Sequence, residues 1–191
     1  MPKKVDRTAR REELLDAALR VFARKGFAAS RIDDVAAEAG IAKGSVYLSF
    51  DSRDALLEAV FQRYAARSEQ ALAAASAVRG PALDRLAALV RGTVAFLAAH
   101  PEHARVLADV WACRAPLDLA AVHRAHREAV ARLLADARAE GTLRPGVGAA
   151  HAAVVVGAVE GCLVQWLADP RTPLAELAGP IVEVCVEGLR A

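Results

Sequence analysis

Glycines divide the first fifty residues of the chain into three short segments, each with the residue spacing of an amphipathic helix. In the first segment Gly26 follows the apolar residues, at a point where a helix can stop. These apolar residues are Leu14, Leu15, Ala18, Leu19 and Phe22. In the stretch SRIDDVAAEAGIAKGSVYLSF, Ser30 to Phe50, Gly40 separates two shorter patterns. Helices this short are marginal alone, so the three are expected to share one small core.

Capping residues predict where these helices begin and end. The first is predicted from about Thr8 to Lys25. Ser30 has a side chain suited to cap the second helix, with Asp33 at the capping-box position and Gly40 at the end. After the AGIA turn, the third helix is predicted from Lys43 to Phe50.

The third helix has a polar outer face. Val46 and Phe50, four residues apart, are expected to point into the core. The outer residues are then Lys43, Gly44, Ser45, Tyr47 and Ser49. A cation, hydroxyl groups, a phenol and a glycine that allows close approach suit a DNA major groove, where they meet phosphates and base edges. The pattern favours a helix-turn-helix with this recognition helix; an ordinary solvated face is the alternative.

Basic charge is concentrated at the N-terminus. The net charge of +2 gives no signal for a polyanionic partner over the whole surface. Residues 1–11 nevertheless hold five basic side chains against the single acid Asp6. The five are Lys3, Lys4, Arg7, Arg10 and Arg11. Such an arm is either a solvated tail or, beside a helix-turn-helix, a DNA contact.

The segment SRIDDVAAEAGIAKGSVYLSFDSRDALL resembles the N-terminal DNA-binding domain of the tetracycline-repressor (TetR) family of transcriptional regulators, in a match from about Arg10 to Leu57. The resemblance implies that Ser30 and Arg31 meet phosphate from the second helix, and Arg53 from the start of the fourth. It assigns the recognition-helix contacts to Lys43, Gly44, Ser45 and Tyr47. Ser49 is included among these DNA contacts. It occupies a position where the family commonly has a tyrosine or histidine near a phosphate.

The rest of the chain has helical spacing and no strand-like alternation. Ser52 is expected to cap a long helix, and prolines and glycines divide the chain beyond it into further helices. The expected fold is all-α with about nine helices. Residues 1–51 would form the three-helix helix-turn-helix domain with its basic arm, joined by the long helix to a helical bundle within 52–191. A second domain of this size usually dimerises or senses a ligand, and the resemblance implies both.

The best-placed helix for a dimer interface is the apolar one from about Gly146 to Ala168. Gly157 and Gly161 lie one turn apart in it and would let a partner backbone come close. Ile181 and Val184 of the final helix would complete the interface; packing within one chain is the alternative. Two polar residues within the apolar stretch argue against a membrane span, so we expect a buried helix and no membrane partner.

A ligand pocket is expected in the second domain. Its candidate lining consists of Phe61, Tyr64, Phe96, Trp111 and Trp166, although aromatic residues at helical spacing are often plain core. Glu160 is a carboxylate in an apolar helix, which must be paired, protonated or solvated. It could meet a ligand, an arginine of a partner subunit or water.

No metal or cofactor is expected. His100 with His103, and His123 with His126, have a spacing that can serve a metal, but no third ligand is evident and solvated histidines are the simpler interpretation. The cysteines, Cys113, Cys162 and Cys185, are expected to be buried reduced thiols. We find no phosphate loop, nucleophile elbow or HExxH motif, so we predict no enzyme activity.

These observations predict a cytoplasmic DNA-binding transcriptional regulator. The start, MPKKVDRTARREELL, lacks the continuous apolar stretch of a secretory signal. The leading hypothesis is a homodimeric repressor that binds double-stranded operator DNA at a palindrome and is released by a small, largely hydrophobic effector. The alternative is a constitutive or architectural DNA-binding regulator without such a ligand. An all-helical enzyme is a distant third.

Overall fold

The computed structural model describes residues 7–113, 117–169 and 171–191. Over these ranges the chain forms nine α-helices and no strand, apart from an isolated bridge between Leu143 and Arg190. The predicted all-α class and helix count are therefore confirmed. The helices are α1 (Arg7–Lys25), α2 (Ile32–Glu38), α3 (Lys43–Tyr47), α4 (Arg53–Ala77), α5 (Ala82–Ala99), α6 (Pro101–Cys113), α7 (Leu119–Ala139), α8 (Ala150–Ala168) and α9 (Ala178–Cys185). Short 3-10 turns occupy Leu174–Leu177 and Glu187–Leu189.

The chain divides into two compact units. The first comprises the described parts of 1–65 and 102–117, so that nearly all of α6 belongs with the N-terminal helices. The second comprises the described parts of 66–101 and 118–191. The first unit is larger than the segment 1–51 predicted to read DNA. That segment remains a prediction about function.

The first unit is built on the apolar stripe of α1. Leu14, Val21 and Phe22 in this stripe are buried, and Phe27 folds back onto Phe22 with ring centroids 5.4 Å apart. Gly26 makes the reversal possible because its φ of +76° lies in the left-handed region that glycine tolerates best. The predicted stop after α1 is confirmed.

Helix α6 is attached to this turn through Asp109. The Asp109 carboxylate accepts a hydrogen bond from the backbone N–H of Phe27. A side chain at Gly26 would place its Cβ 3.5 Å from the same carboxylate. An acidic residue of α6 therefore holds the turn that follows α1.

The predicted cap of α2 is wrong by one residue. The N-cap is Arg31, whose backbone N–H donates to the carboxylate of Asp34 at 2.9 Å. Ser30 instead turns inward, is only 1% exposed, and donates its hydroxyl to the carbonyl oxygen of Gly26 at 2.6 Å. The Ser30 hydroxyl therefore binds the turn after α1, and the N-cap position of α2 is occupied by Arg31.

The chain around α3 follows the prediction more closely. Helix α3 ends at Tyr47, three residues before the predicted end, but Val46 and Phe50 are both buried as expected. Ser52 caps α4, because its Oγ accepts a hydrogen bond from the backbone N–H of Ala55 at 3.0 Å. Helix α4 then runs for 25 residues, which confirms the predicted long helix.

The second unit has its own apolar core, formed by α5, α7, α8 and α9. Helix α8 contributes one buried stripe, Ala152, Val155 and Val159. Its other apolar residues are partly buried against the core, such as Val156 and Leu163, or exposed, such as Val154 and Val164. The prediction of a buried helix is therefore wrong for α8, because its sequence is apolar on every side while only one side packs.

Candidate nucleic-acid interface and effector site

The outer face of α3 carries the predicted recognition residues. Lys43, Gly44, Tyr47 and Ser49 are exposed, and Ser45 is half-buried. Burial of Val46 and Phe50 fixes this orientation, since the two residues hold the opposite side of the segment against α1 and α2. The face therefore offers an ammonium group, two hydroxyls and a phenol as hydrogen-bond donors to a ligand outside the chain.

Lys43 is held by a neighbouring acid. Its Nζ lies 3.0 Å from Oδ2 of Asp33 on α2, and both side chains are more than half exposed. The Asp33 carboxylate, by accepting this hydrogen bond, raises the pKa of the Lys43 ammonium above its ordinary value. Lys43 is therefore a cation that already donates one hydrogen bond to Asp33 and has further N–H donors for a phosphate.

Of the two residues predicted to meet phosphate from α2, only Arg31 is exposed. The Ser30 hydroxyl is buried and donates to Gly26, as described above. We therefore leave the Ser30 side chain out of the proposed DNA contacts. Arg31 remains a proposed contact at the start of α2.

Arg53 has an internal role that the sequence did not indicate. Its Nη1 lies 3.2, 3.3 and 2.9 Å from the carbonyl oxygens of Phe27, Ala28 and Ser30. Its guanidinium carbon also lies 4.1 Å from the centre of the Phe27 ring. The side chain, 33% exposed, therefore ties the start of α4 to the α1–α2 connection.

Other cations of α1 are also engaged within the unit. Arg20 and Arg24 pair with Glu38 at 2.8 and 2.9 Å, and their hydrogen bonds lower the pKa of that carboxyl. Lys25 pairs with Asp34 and lowers its pKa in the same way.

The basic N-terminal arm is only partly described. Arg10 pairs with Glu13 at 2.9 Å, and the guanidinium of Arg11 lies 4.4 Å from the centre of the Phe50 ring. Lys3, Lys4 and the side chain of Arg7 lie outside the described residues.

One exposed residue on this surface was missed by the sequence analysis. Leu48, directly after α3, is 88% exposed. Leucine at helical spacing usually belongs to a core, and no residue pattern marked this one as a surface feature. Only its position between buried Val46 and Phe50 could have indicated that it points outward.

Comparison with known proteins agrees with this interface. Residues 14–60, which span α1 to the first turns of α4, match the model of bacterial regulatory proteins of the tetR family. A solved structure, described as a TetR-like transcriptional regulator from Rhodococcus sp. RHA1, is 26% identical, covers 97% of this chain and 98% of that chain, and superposes with a TM-score of 0.77. The N-terminal segment, residues 14–60, therefore belongs to the TetR family.

Two further comparisons concern proteins described as transcriptional regulators. It is 38% identical over 58 residues to the transcriptional repressor KstR2 of Rhodococcus jostii. That match covers 30% of this chain and only 28% of the length of that relative. The fold is also that of the transcriptional regulator FadR from Bacillus subtilis, solved in complex with stearoyl-CoA. The two structures superpose with a TM-score of 0.77, and their sequences are 19% identical over 93% of this chain and 98% of that chain.

The predicted effector residues are divided between the two compact units. Phe61 and Tyr64 line a small cleft inside the first unit. Its other lining residues are Leu19, Val60, His103, Val106, Leu107 and Val110. The cleft holds about 10 Å³, roughly the space of one water molecule. His103 is buried there, with its ring centre 6.0 Å from that of Tyr64.

The other predicted effector residues belong to the second unit. Phe96 stacks on His100 at 4.5 Å, and Trp166 is half-buried against the core. Glu160 is paired as expected of a carboxylate in an apolar helix, because its Oε1 lies 2.5 Å from Nδ1 of His123. The side chain of Trp111 lies outside the described residues.

The histidines predicted as HxxH pairs have separate surroundings. His126 places Nδ1 2.9 Å from the carbonyl oxygen of Val122, which can only accept, so Nδ1 carries the proton. Its Nε2 then accepts from the Ser68 hydroxyl at 3.2 Å when the ring is neutral. No group of three or more metal-ligating side chains occurs among the residues that the structure describes.

The cysteines are described only in part. Cys162 and Cys185 are free and half-buried, and burial raises the pKa of the Cys185 thiol. The side chain of Cys113 lies outside the described residues.

The predicted dimer residues are mostly exposed. Gly157 and Gly161 lie on the uncovered side of α8 between Val154 and Val164, which are also exposed. Together these four residues form what we call the α8 stripe. A Cβ added at either glycine would meet nothing within 4 Å in its own chain. The chain itself therefore does not require glycine at these positions.

The two predicted residues of α9 differ from each other. Val184 is 74% exposed and can take part in an interface, whereas Ile181 is 5% exposed and belongs to the core of its own unit. Ile181 is therefore a correction to the predicted interface. Helix α8 is also long and apolar enough to cross a membrane by length and composition alone, although the core helix of a soluble protein can pass the same test.

Proposed function

We propose that the protein is a homodimeric transcriptional repressor that binds operator DNA and leaves it when a small, largely hydrophobic effector binds. The observation that carries the proposal is the outer face of α3, where exposed donors stand opposite the buried Val46 and Phe50. Membership of residues 14–60 in the TetR family supports it. No cofactor or catalytic activity belongs to this proposal, and the protein would act in the cytoplasm.

The proposed DNA contacts are those the structure leaves available. They are Arg31, Lys43, Gly44, Ser45, Tyr47 and Ser49. Lys43 and Arg31 would neutralise phosphates, while the hydroxyls and the phenol would bind phosphates or base edges. One recognition helix buries too little surface for a specific complex, so two protomers would read two half-sites of a palindrome.

The proposed dimer interface is the α8 stripe together with Val184. Glycines let helices approach closely, and exposed valines on the same side would be removed from water in the dimer. Burial of this apolar surface also accounts for the length and hydropathy of α8 without a membrane. Partition of the purified protein into detergent or vesicles as a monomer would instead favour a membrane helix.

The effector proposal takes its ligand class from the fold relatives. FadR from Bacillus subtilis was solved with stearoyl-CoA, a ligand with a long apolar chain. The apolar cleft beside Phe61 and Tyr64 is of the same character, although its volume of about 10 Å³ requires the helices to separate before any ligand enters.

The DNA proposal is tested by selecting binding sites from random duplexes and then footprinting the protein on DNA flanking its own gene. We expect protection of a palindrome whose half-sites lie about one helical turn, or a multiple of it, apart. A Lys43→Ala, Tyr47→Ala double variant with unchanged stability should lose most of this protection. Failure of the wild-type protein to select any sequence would refute the proposal.

The effector proposal is tested separately on the bound complex. Acyl-CoA thioesters and other amphipathic compounds are titrated while Trp fluorescence and operator binding are followed together. Compounds that quench fluorescence and release DNA would support a repressor with an effector. Linkage requires DNA to weaken ligand binding by the same factor. If no compound in the series releases DNA, the constitutive regulator becomes the better description.

A further inference from the structure

Leu48 is the most exposed large apolar side chain in the described part of the chain. Of the large apolar side chains that are exposed in the described part of the chain, only Tyr47 and Leu48 belong to the first unit. Val154, Val164 and Val184, by contrast, lie on the surface proposed for the dimer. A leucine in water contributes nothing to the stability of the fold. Its position therefore calls for a partner outside the chain.

The backbone fixes the direction in which Leu48 points. Its φ of −70° and ψ of −16° continue the helical path beyond Tyr47. Val46 and Phe50 are buried on one side, and successive helical residues turn by about 100°. Leu48 therefore lies opposite this buried side. Gly44, four residues earlier, shares the same outermost face.

Gly44 leaves room for close approach to α3. A Cβ added to Gly44 would meet nothing within 4 Å, and its φ is outside the left-handed region, so the chain could hold alanine there, a better helix former. Without a side chain at this position, a partner that approaches α3 from outside can come closer to the helix backbone.

We propose that Leu48 reads the C5-methyl group of a thymine in the major groove, with Gly44 allowing α3 to lie close to the base edges. The thymine methyl is the apolar group that base pairs present in this groove, and leucine can bind it only by apolar contact. The proposal rests on the proposed function, and it adds a specificity residue that makes no hydrogen bond.

Two features favour DNA over a second protein as the partner of Leu48. The exposed large apolar side chains of the first unit are only Leu48 and its neighbour Tyr47, whereas a stable protein interface buries about 800 Å² on each partner. The same segment exposes the cation Lys43 and the hydroxyl of Ser49, and the start of α2 exposes the cation Arg31; these groups suit phosphates and base edges. The combination matches a groove with one apolar position.

The test combines protein and DNA variants. After the operator is mapped with the wild-type protein, each thymine is replaced in turn by deoxyuridine, which lacks only the methyl group. At one thymine per half-site, wild-type affinity should fall about fourfold, the value of one buried methyl group. The affinity of Leu48→Ala should not change on deoxyuridine substitution at that position. On the unsubstituted duplex this variant should bind more weakly than the wild type does on a singly substituted duplex, because it loses the contact in both half-sites.

Controls separate the possible failures. Leu48→Met, which keeps an apolar side chain, should retain most of the methyl effect. Val78→Ala removes another exposed apolar side chain, outside the first unit, and should leave the effect intact. If every deoxyuridine changes wild-type and Leu48→Ala affinity equally, Leu48 does not read a methyl group, although DNA binding stands. If the wild-type protein binds no duplex, both the proposed function and this inference fail.

Discussion

Replacement of Arg53 distinguishes a structural role from a DNA contact. The structure places Nη1 near three carbonyl oxygens, but this nitrogen carries two hydrogens and can make at most two good bonds. A hydrogen bond from a charged donor contributes about 1.5 to 3 kcal/mol, and an exposed cation–π contact about 0.5 to 1 kcal/mol. At the low end, two such bonds and one cation–π contact contribute about 3.5 kcal/mol together, and solvent screening reduces this value because the side chain is one third exposed. We expect Arg53→Met to lower the free energy of unfolding by about 2 to 3 kcal/mol.

The assay measures unfolding and DNA binding on the same variants. Urea denaturation gives the free energy of unfolding, and operator affinity at several salt concentrations gives the number of phosphates bound. Arg53→Lys keeps the charge but loses the planar contact with the Phe27 ring, so it should also be destabilised, by less than Arg53→Met. Both variants should keep the wild-type salt dependence when measured well below their melting temperatures.

A phosphate contact would give the opposite pattern. Each lost phosphate contact lowers the slope of log affinity against log salt by about 0.9, or about 1.8 for a dimer. If Arg53→Met lowers the slope by this amount while its unfolding free energy equals that of the wild type, the structural role is refuted. Arg53→Lys would then resemble the wild type in both measurements.

Three further predictions use other residues. Lys43→Ala should lower the salt slope by about 0.9 per protomer with unchanged urea stability, and an unchanged slope would remove Lys43 from the phosphate contacts. Gly157→Leu should give a folded monomer in light scattering. Gly92→Leu is the control, at another exposed helical glycine with open space around it, and should remain dimeric. A dimeric Gly157→Leu would argue against the α8 stripe as the interface. Pairing lowers the pKa of Asp34 and of Glu38. The stability that these ion pairs contribute to the fold is therefore fully present above the pH at which an unfolded carboxyl titrates, and it is lost as the pH falls through about 4 and below. Asp34→Asn with Glu38→Gln should therefore reduce the acid dependence of unfolding, and an unchanged dependence would count against these pairs.

The parts of the fold that the sequence predicted depend on local patterns. The end of α1 and the outer face of α3 follow from the spacing of apolar residues and from a glycine in a left-handed conformation. Gly26, Val46 and Phe50 are sufficient for both. Such features involve residues within a few positions of one another, so a single sequence contains the information.

The parts that the sequence did not predict depend on distant partners. Ser30 with Asp33, and Arg31 with Asp34, both have the spacing of a capping box, and only the direction of the Ser30 side chain toward Gly26 decides between them. The carbonyl partners of Arg53 lie 23 to 26 residues earlier in the chain.

The packing side of helix α8 and the positions of the effector residues were harder to predict for the same reason. The sequence of α8 is apolar on all sides, so it does not indicate which side packs. The predicted pocket residues were grouped by type, but Phe61 and Tyr64 fall in a different compact unit from Phe96 and Trp166. Aromatic character alone cannot show which helices become neighbours.

The inclusion of α6 in the first unit limits how this regulator could be recombined with others. A fragment ending after α3 or early in α4 would lose Val106 and Val110, which line the cleft opposite Leu19 and Val60, and would lose the Asp109 cap on the α1 turn. Apolar surface would then face water. A chimera that transfers the DNA specificity of this protein must therefore carry two separate pieces of chain, and exchange of the first fifty residues alone should yield an insoluble product.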